Sequence, residues 1–259
     1  MTLKSIKDDI IRAIFEGVIT IDRLSDDLFY LTYLKLRQGI DDFMPDIDME
    51  SVDWATKYEL ANNIYLFSGA KSYKNIWDIQ KNIFDEKGMK RSFAKFEELV
   101  SPIYDTYNVH WLKTEFETAY AGARQAAQWI DIKQKSKTLP YLEYQTANDE
   151  RVRPSHAELD GIIKKVDDPF WDTFYPPNGF NCRCIVIQHA EAEETELTPQ
   201  RIEKLGNNID DLFTMNVGKD HYIFDSKHKY FNANTLPPKL REHFKVQRAK
   251  RFGFTQKLF

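Results

Sequence analysis

Long apolar runs are missing from this sequence. Nothing in its 259 residues approaches the roughly 20 consecutive apolar residues of a membrane-spanning helix, so helical membrane spans are excluded. Cysteine is scarce: only Cys182 and Cys184, one residue apart. A disulfide across so short a loop is strained, so the thiols read as reduced and the chain as intracellular. Neither sign of charge dominates. The formal net charge is −4, and the composition as a whole carries no electrostatic footprint of a nucleic-acid binder. An uninterrupted apolar core is also missing from the N-terminus, where Lys4, Lys7, Asp8 and Asp9 break the first residues. No secretion by a signal peptide is expected. Internal repeats and low-complexity tracts are absent.

What is present suits a packed protein. Hydrophobic residues make up 42% and aromatics 14%, which argues against disorder. The length allows one large domain or two modest ones. The first half reads as helices. Leu3, Ile6, Ile10 and Ile14 recur at helical spacing, with Gly17 as a stop. Ser25 is a candidate N-cap, followed by Asp26 and Asp27 at the positive end of the helix dipole, and Leu28, Leu31 and Leu34 form a stripe. Phe43 to Val52 reads as an exposed link. Ile76, Ile79 and Ile83 mark a helix closing near Gly88, and Phe93, Phe96 and Leu99 begin another that is interrupted or restarted around Pro102. The clearest helix runs from about His110 to Ile130, with Leu112, Phe116, Ala119, Ala123, Ala127 and Ile130 on one face. Its alanines would admit a close neighbour.

After Pro140 the period changes. Leu142, Tyr144 and Thr146 alternate with Glu143 and Gln145, as in a half-buried strand. Cys182 to Ile187 reads as a buried strand, and Tyr222 to Phe224 as another. The fold class expected is therefore α+β: a helical N-terminal half, then a smaller mixed α/β C-terminal domain with a short sheet. The boundaries are 1–135 for the helical region, 136–235 for the mixed domain and 236–259 for a basic aromatic tail.

Residues 149–184 concentrate turn formers, charges and metal-type ligands. Ser155-His156-Ala157-Glu158 has the form of a capping box, which would set His156 and Asp160 on one face of a short helix. Pro176-Pro177-Asn178-Gly179 makes a rigid turn. On a strand, Cys182 and Cys184 would share one face and Arg183 would take the other. Two thiolates and His156 could bind structural zinc, with Asp160 or Asp168 as a fourth ligand. The other reading is two buried core cysteines and a histidine hydrogen-bonded to a carboxylate. Arg151, Arg153 and Arg183 could meet phosphate, or could pair internally with Asp149, Glu150, Asp167 and Asp168.

These pieces occur in a specific order. Arg151-Val-Arg153-Pro-Ser-His156-Ala-Glu-Leu-Asp160-Gly161 leads to Asp168-Pro-Phe-Trp171. Pro176-Pro177-Asn-Gly179-Phe-Asn-Cys182-Arg183-Cys184 follows. The string resembles the signature of the Mu-F-like phage head-morphogenesis family. Trp111 to Glu115 and Tyr144 to Thr146 resemble its lead-in. Asn216 to Lys219 and His228 to Phe231 resemble its close. The likeness spans residues 105–231. It implies a minor head protein of a tailed phage or prophage, present in few copies, docking on the portal or inner shell during head assembly and DNA packaging. The place implied is the virion, and the host cytoplasm during assembly. No catalytic residue is implied.

The enzyme alternatives start from the same residues. Zinc deaminases use His-x-Glu and then Pro-Cys-x-x-Cys; His156-Ala157-Glu158 fits the first, but Cys182 and Cys184 are one residue too close and no proline directly precedes Cys182. A hydrolase would use His156 as base and Cys182 as nucleophile, its thiol lowered by Arg183. Finally, the stretch from Arg241 to Phe259 carries Arg241, Lys245, Arg248, Lys250, Arg251 and Lys257 against the single acid Glu242, interleaved with Phe244, Phe252, Phe254 and Phe259. It suits DNA, through counterion release and base stacking. It also suits an amphipathic helix or an acidic portal surface.

Overall fold

The computed structural model describes residues 1–45, 50–51 and 53–231. The chain is α+β, as expected. Helices α1 (Lys7–Phe15), α2 (Asp26–Phe43), α3 (Trp54–Gln80), α4 (Phe93–Asp105) and α5 (Leu112–Lys135) fill the first half. Strands β1 (Tyr141–Gln145), β2 (Ile163–Lys165) and β3 (Ile185–His189) alternate with short helices α6 (Pro154–Ala157) and α7 (Phe170–Phe174). Helices α8 (Pro199–Gly206) and α9 (Val217–Asp220) come later. The described residues divide into two compact units: residues 1–34, 65–112 and 226–231, and residues 35–45, 50–51, 53–64 and 113–225.

In the first unit, α1 presents Ile10, Ile11 and Ile14 inward, fully or nearly fully buried. Phe15 sets its ring edge-on to Phe93 of α4, 5.4 Å between centroids. Ser25 caps α2 as expected, its Oγ accepting the Leu28 N–H at 3.2 Å. The helix marked by Ile76 and Ile79 proves to be the end of the 27-residue α3, and Ile83 lies beyond it. Pro102 does not interrupt α4. Proline removes an N–H and crowds the preceding turn, yet α4 continues to Asp105 and then widens into a π-helical turn over Thr106–Trp111 before α5. The Tyr107 carbonyl within that turn accepts from Lys71 Nζ at 2.6 Å.

In the second unit, the sheet is antiparallel throughout, in the order β2-β1-β3. Tyr141 pairs with Lys165 on one side and His189 on the other. The alternation read from sequence is observed: Leu142 and Tyr144 are completely buried. Helix α5 is tied to the sheet by Gln128 Nε2, which donates to the Val186 carbonyl at 2.9 Å. Gln188 Nε2 donates to the carbonyls of Ile132 and Leu139 at 3.0 and 2.7 Å. The buried face of α5 includes Ala119, Ala123, Ala126, Trp129 and Ile132, so it is rotated from the predicted stripe at its C-terminal end. The alanines do admit a neighbour: a Cβ on Gly39 would lie 3.2 Å from Ala123 Cβ.

Two strand expectations change. Strand β3 starts at Ile185, three residues later than predicted, because Cys182–Cys184 form an irregular approach with no partner strand. Tyr222–Phe224 is not a strand. Asn63 Oδ1 accepts the N–H groups of Ile223 and Phe224 at 3.0 and 2.8 Å, so a side chain satisfies the backbone where a neighbouring strand would otherwise do so.

Candidate metal centre and signature segment

Helix α6 begins at Pro154, with Arg153 in the N-cap position and no side-chain capping bond. The predicted capping box is therefore not formed, because Ser155 lies inside the helix rather than before it. The turn is nevertheless what delivers His156 into the interior, 3% exposed. Its Nδ1 lies 3.7 Å from Cys182 Sγ and 3.6 Å from Cys184 Sγ. Both thiols are buried while Arg183 between them is exposed. The predicted alternation of sides is thus real, although the segment is not a strand. The three ligand atoms all lie within 4.8 Å of one another.

The far side of the imidazole is also held. His156 Nε2 lies 3.1 Å from the Asn178 carbonyl. That carbonyl can only accept, so Nε2 carries the proton and Nδ1 keeps its lone pair toward the sulfurs. Asn178 is a hub. Its Oδ1 accepts from Tyr144 Oη at 3.0 Å, and its Nδ2 donates to the Thr173 and Tyr175 carbonyls at 3.3 and 3.4 Å. Sequence reading marked Asn178 only as a turn former and Tyr144 only as a strand residue. Nothing in the string tells that one orients the other and the ring beside it.

The two thiols titrate unequally. Cys182 is held down at about 4, first by the hydrogen bond from Cys184 and, against the opposing effect of burial, by a backbone hydrogen bond at Asn178. Cys184 is pushed far above the usual thiol range, first by Cys182 and then by burial. Arg183 acts on Cys182 only as a weaker, Coulombic neighbour. Its guanidinium is turned away onto Asp149 in two parallel hydrogen bonds of 2.7 and 2.6 Å.

The remaining signature residues are engaged internally. Arg151 Nη2 lies 3.7 Å from Asp149 Oδ2. Arg153 Nη2 donates to the Phe180 carbonyl at 2.5 Å. Asp160 is not beside His156, because α6 ends before a helical i,i+4 relation is completed. Its Oδ1 accepts from the Thr146 N–H and Oγ1 at 2.6 and 2.8 Å. Asp168 Oδ1 accepts the Phe170 N–H at 2.7 Å. Neither carboxylate joins the cluster. Gly161 adopts φ +74° and returns its N–H to the Tyr144 carbonyl at 2.8 Å, a conformation a side chain would strain. Pro176-Pro177 leads to Gly179, where a Cβ would stand 3.3 Å from the Arg153 guanidinium and 3.6 Å from His156 Nε2. The DNA candidates Arg241, Lys245, Arg248, Lys250 and Arg251 lie outside the described residues.

As chemistry, the arrangement suits holding an ion or a shape better than turning over a substrate. The carboxylate of Glu158, which a deaminase would need beside the metal, pairs with Arg201 at 3.1 Å. The thiol that a hydrolase would need in the open is 7% exposed. No helix among the described residues is long and apolar enough to cross a membrane.

Comparison with known proteins agrees with the signature. Residues 74–187 match the family described as Phage Mu protein F like protein. The chain is 32% identical over 145 residues to the Mu-like prophage FluMu F protein of Haemophilus influenzae, covering 53% of this chain and 31% of that protein. It is 42% identical over 106 residues to the putative capsid assembly protein F of Escherichia phage Mu, covering 40% of this chain and 22% of that protein. The matched region thus spans less than a third of the length of either relative. No solved structure matches. Over residues 74–187, then, the chain is similar to the Phage Mu protein F like family.

Proposed function

We propose that this chain is a head-assembly protein of a tailed phage or prophage, docking on the portal or the inner shell while the head forms and DNA is packaged. The observation that carries the reading is the use of the signature residues. Arg183 is spent on Asp149, Arg153 on the Phe180 carbonyl and Asp160 on Thr146. Such residues shape a surface rather than attack a substrate, as suits a part that other proteins recognise. A relative named as a capsid assembly protein supports the same direction. The basic aromatic tail beyond Pro238 then contacts DNA.

The test uses particles of the phage or prophage that encodes the chain. Purified proheads should contain it together with the portal protein, and deleting its gene should lower the yield of DNA-filled heads. Normal yields of filled heads without the gene, and particles free of the protein, would reject the assembly role. For the tail, the full chain should bind DNA with an affinity that falls steeply with salt. A truncation after Pro238 that still folds should not. Equal binding by both, or by neither, removes the DNA contact and leaves protein docking.

A further inference from the structure

We propose that His156 Nδ1, Cys182 Sγ and Cys184 Sγ bind one zinc ion that cross-links the signature segment. The inference is independent of the head-assembly reading, since it concerns what holds the segment and not what the segment meets.

Three observations carry it. The first is spacing. Zinc–sulfur bonds of about 2.3 Å and zinc–nitrogen bonds of about 2.0–2.1 Å, at a tetrahedral angle, put a nitrogen and a sulfur roughly 3.6 Å apart. The two observed separations are 3.6 and 3.7 Å, the edges of such a tetrahedron. The second is orientation. The Asn178 carbonyl takes the Nε2 proton, leaving the Nδ1 lone pair facing both sulfurs. A metal-bound histidine is commonly fixed in this way from behind. The third is donor softness in a closed place. Two sulfurs and an imidazole select zinc over the hard cations that prefer oxygen, and all three side chains are buried.

Among the described residues no fourth histidine, cysteine or carboxylate joins the group. The fourth position therefore falls to a ligand from outside these residues, with water the simplest. The effect of the ion is mechanical. His156 is 26 residues from Cys182 and 28 from Cys184. One ion would close that loop and fix α6 against the approach to β3 without requiring an oxidising compartment.

The experiment measures metal in the purified full chain by mass spectrometry and replaces it with cobalt(II). About one zinc per chain is expected, together with a thiolate-to-cobalt charge-transfer band and the visible bands of a tetrahedral ion. A chelator should lower Tm, and added zinc should restore it. Cys182→Ser and Cys184→Ser should each lose the ion or bind it at least about tenfold more weakly, while Asp160→Asn keeps it. A variant that fails to fold would lose metal for another reason, so the wild-type cobalt spectrum is the independent arm. Metal-free protein whose Tm ignores both chelator and zinc would overturn the proposal in favour of a hydrogen-bonded core. So would a cobalt spectrum without thiolate charge transfer, or zinc retained in both cysteine variants.

Discussion

Arg183 and Asp149, 34 residues apart in sequence, face each other in a two-pronged ion pair with hydrogen bonds of 2.7 and 2.6 Å. The pair fastens the approach to β3 onto the loop after β1. Its geometry is the planar fork that arginine offers to carboxylates.

Asp149 should reveal this pairing in its titration. The hydrogen bonds from Arg183, with help from the Arg151 N–H, hold its carboxyl at about 2, below the unfolded value of about 3.9. Its stabilising contribution is therefore complete above the unfolded value and is lost as pH falls through the folded one. Arg183→Gln should raise the Asp149 midpoint toward the ordinary carboxylate range, read by carboxyl-carbon NMR. Both groups are partly exposed, so added salt should shrink the difference. An unchanged midpoint in the variant would remove Arg183 as the cause.

Gly218 tests the packing of α9 on α5. A Cβ there would stand 2.3 Å from Trp129 Cβ, an overlap that rotamer change alone cannot relieve. Gly218→Ala should destabilise the protein by about 1–3 kcal/mol. Gly206→Ala is the control, since its nearest atom lies at 3.9 Å. Urea unfolding of both should show a loss for the first and none for the second.

Tyr144→Phe should remove the donor that satisfies Asn178 Oδ1. Asn178 is 1% exposed, so its oxygen would lose its partner without gaining free access to water, at a cost of about 1–3 kcal/mol. The measurement is the chemical denaturation midpoint, with the slope unchanged. A neutral result would mean that water or another donor replaces the hydroxyl.

Tyr104 offers the matching test in the first unit. Its hydroxyl donates to the Leu3 carbonyl at 2.7 Å, in a fully buried position. Tyr104→Phe should cost about 1 kcal/mol and raise hydrogen exchange selectively in the residues before and within α1. Uniform exchange across the chain would show that the bond does not anchor this segment.

Much of the fold was legible because it rests on local periodicity. Ile10 and Ile14 mark α1, Ser25 marks the start of α2, and the alternation at Leu142 and Tyr144 marks β1. The failures share a different cause. Cys182–Cys184 is β-favouring, but a strand needs a partner, and register with β1 begins only at Ile185. Tyr222–Phe224 is β-favouring too, yet Asn63, 160 residues away from Ile223, takes its backbone donors. Pro102 reads as a breaker, but α4 continues through it to Asp105.

The candidate site divides in the same way. Residue types and order along the chain were enough to single out His156, Cys182 and Cys184, to suggest that both sulfurs face one side, and to indicate the family. Those are properties of composition and short-range geometry. Which carboxylate goes where was decided only by the tertiary structure. Asp160 turned to Thr146 because α6 is a single turn and its end redirects the chain, and Asp168 accepts the Phe170 N–H at the start of α7. The orientation of the His156 ring was likewise settled from a distance, by the Asn178 carbonyl 22 residues on. Buried polar groups must each find a partner, and that partner is chosen by the packing of the whole unit, which no local pattern encodes.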